Sequence, residues 1–240
     1  HMAYKEYYSM MSDNEKKIMA KEQEQEELLR RADYIFANGP KLYESARNLC
    51  EDYKGSKVIQ ILPGLSDIDP QKNPPTNLSV IVFGRIEESD KNNAVIKQPY
   101  LAVAAWGEYL KKTRNEGLQI SSRMYVIGYE EDRIDEANRN LKKFVEEYTN
   151  GAENVSASPY LEQEKLYRML RKQSLSFMLC REEGFGLAGL EAISAGVPVI
   201  ISQNSGLYQF LEKNGLENRV LHIRVEGSYN KPYFSQDDLE

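Results

Sequence analysis

The chain has 240 residues, with 31 Lys and Arg against 37 Asp and Glu, and a formal charge of -6. That length suits one large domain or two small ones. It buries roughly 70–75% of the surface its unfolded form exposes, so it needs no metal or disulfide staple. The acidic balance argues against a general nucleic-acid or membrane-surface binder. The longest apolar run, residues 101–106, falls far short of the roughly 20 residues that span a bilayer. Cys50 and Cys180 lie far apart and lack metal-ligand spacing, as expected of a reduced, cytoplasmic protein. His1 and Met2 read as a cloning scar. His222 is then the only other histidine, which nearly excludes a His-based triad or a His-rich metal site.

Taken in chain order, residues 13–31 are rich in Glu, Lys, Gln, Leu and Met and predict a helix. Glu22 and Glu26 are interleaved with few apolar residues (Ile18, Met19, Leu28, Leu29), so this helical lead reads as mostly solvated with a thin sticky stripe. A short strand is expected at 34–37, then a turn at Asn38-Gly39-Pro40 and a helix from Pro40 to Tyr53. Residues 58–62 predict a strand stopped by Pro63-Gly64. The proline-rich stretch 66–77 is the best domain boundary.

From Leu78 onward strands and helices alternate. Residues 78–83 form a nearly continuous apolar run, as a parallel strand covered on both faces should. Helices are expected at 98–114, 132–148, 161–172, 187–195 and 207–214. Strands are expected at 123–128, 175–180, 197–202 and 220–225. Such alternation predicts an α/β fold, a Rossmann-like open parallel sheet with helices on both faces. Ligands in such sheets sit beyond the carboxyl ends of the strands.

Three of those strand ends carry polar chemistry. After the strand at 175–180 comes Glu183-Gly184-Phe185-Gly186-Leu187, opening a helix that contains Glu191. Gly184 and Gly186 allow close backbone approach, and the N–H groups of Phe185, Gly186 and Leu187 would form an anion seat. Glu191 is the only charged residue between Gly184 and Phe210. A carboxylate in so apolar a stretch needs hydrogen-bond donors or stays protonated. The hydroxyls of a ribose would serve; so would a cap on its own helix or a distant Lys. At the end of the strand at 78–83, Gly84-Arg85 and then Lys91 can clamp a diphosphate, Arg through its fork and Lys as a point charge. The acidic Glu87, Glu88 and Asp90 between them equally suit a solvated loop of mixed charge. Gln203-Asn204-Ser205-Gly206 suits contact with sugar or phosphate, and equally an ordinary turn.

The run from Glu183-Gly-Phe-Gly-Leu to Glu191-Ala, followed by Ala195-Gly-Val-Pro-Val and Ser205-Gly206, resembles the donor-binding signature of retaining glycosyltransferases of family four, which have the GT-B fold. Phe83-Gly84-Arg85 with Lys91 resembles that family's phosphate-binding element. Ala32-Asp33-Tyr34-Ile35 and Ile61-Leu62-Pro63-Gly64 resemble the end of its first domain and the crossing into the second. The resemblance implies that Glu183 contacts the donor sugar and Glu191 the nucleotide ribose. It implies that Arg85 and Lys91 neutralise the diphosphate, assisted by amides near Phe185, Gly186 and Leu187.

The implied organisation is a scar at 1–2, a helical lead with the last segments of a truncated first domain at 3–55, and a donor-binding domain at 56–240. The implied donor is a UDP- or GDP-linked sugar, with no other cofactor and no metal. The acceptor-facing domain would be missing, as in a piece of a larger protein, and transfer by this chain alone is not expected. Self-association through the uncovered face is a further expectation. The alternatives are a non-catalytic module that senses nucleotide sugars, or a GT-B sugar epimerase or phosphorylase.

Overall fold

A computed structural model describes residues 3–10, 14–51, 57–65, 67–86, 95–118, 120–149, 154–228 and 232–239. The elements run α1 (Tyr4–Ser9), α2 (Glu15–Arg30), β1 (Tyr34–Asn38), α3 (Gly39–Leu49), β2 (Lys57–Ile61), β3 (Leu78–Phe83), α4 (Pro99–Asn115) and β4 (Ser122–Tyr129). Then follow α5 (Ile134–Thr149), β5 (Asn154–Pro159), α6 (Gln163–Leu170), β6 (Leu175–Met178), α7 (Leu187–Ser194), β7 (Val199–Ser202), α8 (Gly206–Lys213), β8 (Leu221–Ile223) and α9 (Gln236–Leu239).

Strands β3 to β8 form one parallel sheet in the order β5-β4-β3-β6-β7-β8. Counted from β3 this is the 3-2-1-4-5-6 order of a Rossmann sheet, and its direction of winding reverses between β3 and β6. The alternating side chains of β3 serve two cores. Val80 and Val82 meet Leu101, Trp106 and Leu141 of α4 and α5 on one face. Ile81 and Phe83 meet Tyr167 and Leu170 of α6 on the other. A third cluster locks Met178, Val199 and Ile201 under Ala192 of α7 and Leu207 of α8. Burial on both faces explains why the apolar runs in the sequence are continuous rather than alternating.

The first segment builds a separate two-stranded parallel sheet, β1 beside β2. Ile35 packs with Ala46 and Cys50 of α3 and with Leu29 and Val58. Helix α2 contains no buried residue and starts with Asn14, whose side chain accepts from the Lys17 N–H at 3.2 Å. It is the solvated lead expected. One reading is corrected and two elements are added. There is no free turn at Asn38-Gly39-Pro40, because β1 passes directly into α3, with Gly39 in the left-handed region at φ 78° and Pro40 in the first turn. Strand β5 and the short helix α1 were not expected. The described part of the proline-rich stretch forms neither helix nor strand and lies against the sheet: Gln71 N–H donates to the Ala195 carbonyl at 2.8 Å, and Ile68 packs against the β3 core.

Candidate functional site

The carboxyl ends of β3, β6 and β7 lie side by side at the reversal of the sheet. After β6, residues Glu183 to Gly186 leave the sheet and turn into α7. Glu183 makes an isolated bridge to Ser205, through Glu183 N–H to the Asn204 carbonyl (3.4 Å) and Gly206 N–H to the Glu183 carbonyl (3.2 Å). A Cβ on Gly206 would lie 2.2 Å from the Gly184 carbonyl oxygen, so a glycine is required for the two loops to touch. Gly186 caps α7 at φ 112°, where any side chain would be strained and would meet Met178. Phe185 is buried in the cluster beneath. The Leu187 and Ala188 N–H groups at the helix start find no acceptor among the described residues, and Leu187 is exposed. The anion seat therefore opens to solvent at the strand ends.

Glu191 lies one turn along α7, half-buried. Burial pushes its carboxyl above the usual glutamate range. No side-chain hydrogen bond or ion pair to it occurs among the described residues. Neither alternative weighed for it, a cap on its own helix or a distant Lys, is realised there.

Glu183 behaves differently. Its carboxylate is ion-paired with Lys97, just before α4 on the connection from β3. Burial pulls the Lys97 ammonium down, but the adjacent Glu183 and the other groups around it together hold it above the usual lysine range. The next residue, Gln98, sits in the left-handed region at φ 54°. Its buried amide donates to the carbonyls of Val95 (2.6 Å) and Tyr233 (2.7 Å). Those two bonds hold an unfavourable backbone in place and with it the root of Lys97. Lys97 is a site residue that reading the sequence missed. Nothing local marks it, because its partner lies 86 residues away.

The neighbouring Glu182 is also paired. Lys41, in the first turn of α3, reaches it at 2.6 Å and donates to the Asn204 carbonyl as well. Burial pushes the Glu182 carboxyl up, against the pull of Lys41. Two Lys–Glu pairs thus flank the end of β6, one drawn from the β3 connection and one from the first segment. Gly39, next to Lys41 across Pro40, abuts Phe185 so closely that a Cβ would lie 2.2 Å from the ring. Cys180 between them is buried, and burial pushes its thiol up to about 12, so it remains protonated and is no nucleophile.

At the end of β3, Gly84 has φ 148° and donates to the Ile127 carbonyl at 3.1 Å. A Cβ on Gly128 would lie 1.6 Å from the Gly84 carbonyl oxygen, so this approach too requires glycine. Arg85 follows, exposed at the carboxyl end of β3 next to β6. Lys91, expected to share its task, lies outside the described residues, as do His1 and Met2. In the third turn, Asn204 donates to the Val225 carbonyl at 2.7 Å and Ser205 caps α8 by accepting from Tyr208 N–H at 3.2 Å. Those two side chains build the turn itself. No group of His, Cys, Asp and Glu able to hold a metal occurs among the described residues, nor does a helix long and apolar enough to cross a membrane.

Solved structures share this architecture. Sucrose-phosphate synthase from Thermosynechococcus elongatus superposes with a TM-score of 0.63 at 19% identity, covering 93% of this chain and 53% of its own. WaaG, a glycosyltransferase involved in lipopolysaccharide biosynthesis, gives 0.58 at 14% identity, over 97% of this chain and 58% of its own. TarM of S. aureus, in a complex that includes UDP, gives 0.62 at 17% identity, over 85% and 36%. The chain thus spans about half the length of the first two and a smaller share of the third. No curated protein matches it by sequence. A family model described as family 4 glycosyltransferase in conflict systems matches residues 1–232. With that match over nearly the whole chain, and a sheet in Rossmann order, the chain belongs to that family of glycosyltransferases.

Proposed function

We propose that this chain is the donor-binding module of a retaining glycosyltransferase that takes a sugar from a nucleotide-diphosphate sugar, UDP- or GDP-linked. The observation that carries the proposal is Glu191. It is a half-buried carboxylate without a protein partner among the described residues, on the helix whose uncapped start opens at the sheet reversal. The two hydroxyls of a ribose supply the donors that the protein does not. The diphosphate lies over the Leu187 and Ala188 amides, between Arg85 and Lys97, and these groups take up the negative charge that develops as the sugar leaves. On this reading the neutralising cations are side chains rather than a metal. Lys97 takes the role the sequence gave to Lys91, and its bond to Glu183 sets the sugar-contacting carboxylate beside the phosphates.

The acceptor side belongs to a further α/β domain that completes the β1–β2 sheet. Turnover is a property of that larger assembly, with the partner domain closing over the sugar and excluding water. Titration calorimetry with UDP, GDP and ADP tests the donor site. The expected result is micromolar-to-millimolar binding, roughly -4 to -8 kcal/mol, by one nucleotide class. The Glu191→Gln variant should weaken it about tenfold or more, each charge-assisted bond being worth about 1.5–3 kcal/mol. Unchanged affinity in the variant would assign Glu191 to structure. Sugar transfer by this chain alone would show that no acceptor domain is needed. Absence of binding by every nucleotide would favour an interaction module that kept the fold without the chemistry.

A further inference from the structure

The sequence Ser235-Gln236-Asp237-Asp238 has the spacing of a capping box, a hydroxyl and a carboxylate three residues apart that close the start of a helix on each other. The box forms at α9. Asp238 N–H donates to Ser235 Oγ at 3.2 Å, and the Asp238 carboxylate accepts from Ser235 N–H at 2.8 Å. The carboxylate does more than a cap requires. It also accepts from the Ser235 hydroxyl at 2.9 Å, and from the N–H groups of Glu226 at 2.6 Å and Gly227 at 2.9 Å. One half-buried side chain thus ties the residues after β8 to α9. Phe234 fastens them to the large core, where its ring stands edge-on to Phe144.

Three main-chain carbonyls around this carboxylate bond side chains beside the Lys97–Glu183 pair. Tyr233 accepts from Gln98, which follows Lys97, at 2.7 Å. Glu226 accepts from Arg181 Nε at 2.9 Å. Arg181 lies two residues before Glu183, and its own N–H donates to the carbonyl of Ile96, the residue before Lys97, at 2.9 Å. Val225 accepts from Asn204 at 2.7 Å, and the Asn204 carbonyl receives the Glu183 N–H. The approach is close: Gly227 has φ 71°, and a Cβ there would lie 2.1 Å from the Arg181 side chain. Tyr233 is held at φ 77°, a left-handed conformation that a tyrosine adopts only under constraint.

We infer that Asp238 is a positioning residue of the donor site, acting through Gln98 and Arg181 on the Lys97–Glu183 pair. The inference rests on the donor-site reading above and adds to it a support drawn from α9. A lysine on its flexible stem is placed only when its backbone and its partner are both fixed. Gln98 fixes the backbone, and Arg181 joins the Glu183 side to it. Without Asp238 the carbonyls that hold these two residues lose their frame. Glu191, which takes the ribose, lies on α7 and shares none of these bonds, so the two contributions are separable.

Two measurements on the intact chain test the assignment. In hydrogen exchange read by mass spectrometry without ligand, Asp238→Ala should speed exchange severalfold in peptides covering residues 95–103 and 179–187. A peptide covering 122–129, on β4, should stay unchanged. In titration calorimetry the same variant should weaken UDP or GDP by about three- to tenfold, the scale of one or two ordinary hydrogen bonds, and leave the bare nucleoside unchanged. Added to Lys97→Ala, Asp238→Ala should cost nothing further, because the two act on one contact. Ser235→Ala removes only the hydroxyl's part of the box and should give the same pattern at smaller size, so the test survives an Asp238 variant too unstable to titrate. Unchanged exchange at 95–103 and 179–187, faster exchange everywhere, equal losses for nucleoside and diphosphate, or full additivity with Lys97→Ala would each overturn the assignment. Wild-type protein that binds no nucleotide would remove the donor-site reading, and the exchange result would still decide whether Asp238 holds the pair.

Discussion

The two sheets of this molecule are built from similar strands and end differently. The six-stranded sheet is finished: helices cover both faces, and its central strand β3 is buried along its last four residues. The two-stranded sheet is covered on one face by α3 and bare on the other. There Tyr34 and Phe36 are 60% and 63% exposed, and Ile61 follows on the same side. An isolated pair of strands is marginal in water. This pair persists because α3 is pinned to the larger sheet. Lys41 bonds Glu182, Lys213 bonds Glu44, and Gly39 fits against Phe185. The difference shows which unit carries its own stability and which borrows it.

The joint between them is where the largest effect is expected. Lys41 and Glu182 have side chains only 14% and 8% exposed. Lys41→Met removes one partner and leaves a buried carboxylate, which costs about 3–5 kcal/mol. Urea denaturation followed by circular dichroism should show that loss, and the double variant Lys41→Met/Glu182→Leu should recover much of it. A loss below about 1 kcal/mol in the single variant would show that the small sheet is held by packing alone.

The finished sheet was the more legible in the sequence. Continuous apolar runs at 78–83 and 175–180 announce strands buried on both faces, and their alternation with helices gives the fold class. Strand β5 was not legible, because it lies at the sheet edge and only Val155 and Ala157 are apolar along it. Helix α1 is a single turn and a half of tyrosines with no periodic core face. The site divides in the same way. Glu183, Gly186 and Glu191 belong to one local turn and could be read together. Lys97 reaches Glu183 only after the chain has folded, and nothing in its own neighbourhood marks it. Short-range chemistry shows in a sequence, whereas a long-range ion pair shows only in the fold.

The next effect separates the cations of the finished sheet. If Arg85 and Lys97 grip a diphosphate, Arg85→Ala should weaken UDP or GDP by about 1.5–3 kcal/mol and the bare nucleoside hardly at all. The loss should shrink as salt rises, because exposed charge is screened. Lys97→Ala should do the same and also release Glu183. Calorimetry at low and high salt reads both. Equal losses for nucleoside and diphosphate would detach these residues from the phosphates.

A smaller effect follows from Glu191. Burial raises its folded pKa above the ordinary value of 4.5. Folding therefore favours the protonated form, and the cost of ionisation is fully present only above the folded pKa. Glu191→Gln should stabilise the free protein at pH 7, by less than about 1 kcal/mol given its partial contact with solvent. The gain should fade as the pH drops through the folded pKa and be gone below 4.5, where the wild-type carboxyl is protonated in both states. The same substitution weakens nucleotide binding, so stability and affinity should move in opposite directions. A variant less stable at pH 7 would mean that the carboxylate supports the fold.

The smallest effect on stability is expected at the bare face, and it has a different signature. Phe36→Ser removes an exposed ring that packs on nothing in the larger core, so unfolding should change by no more than about 0.5 kcal/mol. What should change is association. Phe36, Tyr34 and Ile61 form an apolar strip beside open strand edges, the kind of surface that a further domain or a second copy covers. Sedimentation velocity on the isolated chain should show concentration-dependent self-association, and Phe36→Ser should reduce it. If the acceptor domain completes this sheet, the same substitution in the larger assembly should cost about 2–4 kcal/mol, because the ring is then a core residue. An unchanged assembly would place the partner on another face and leave β1 and β2 as a closed appendage of the donor module.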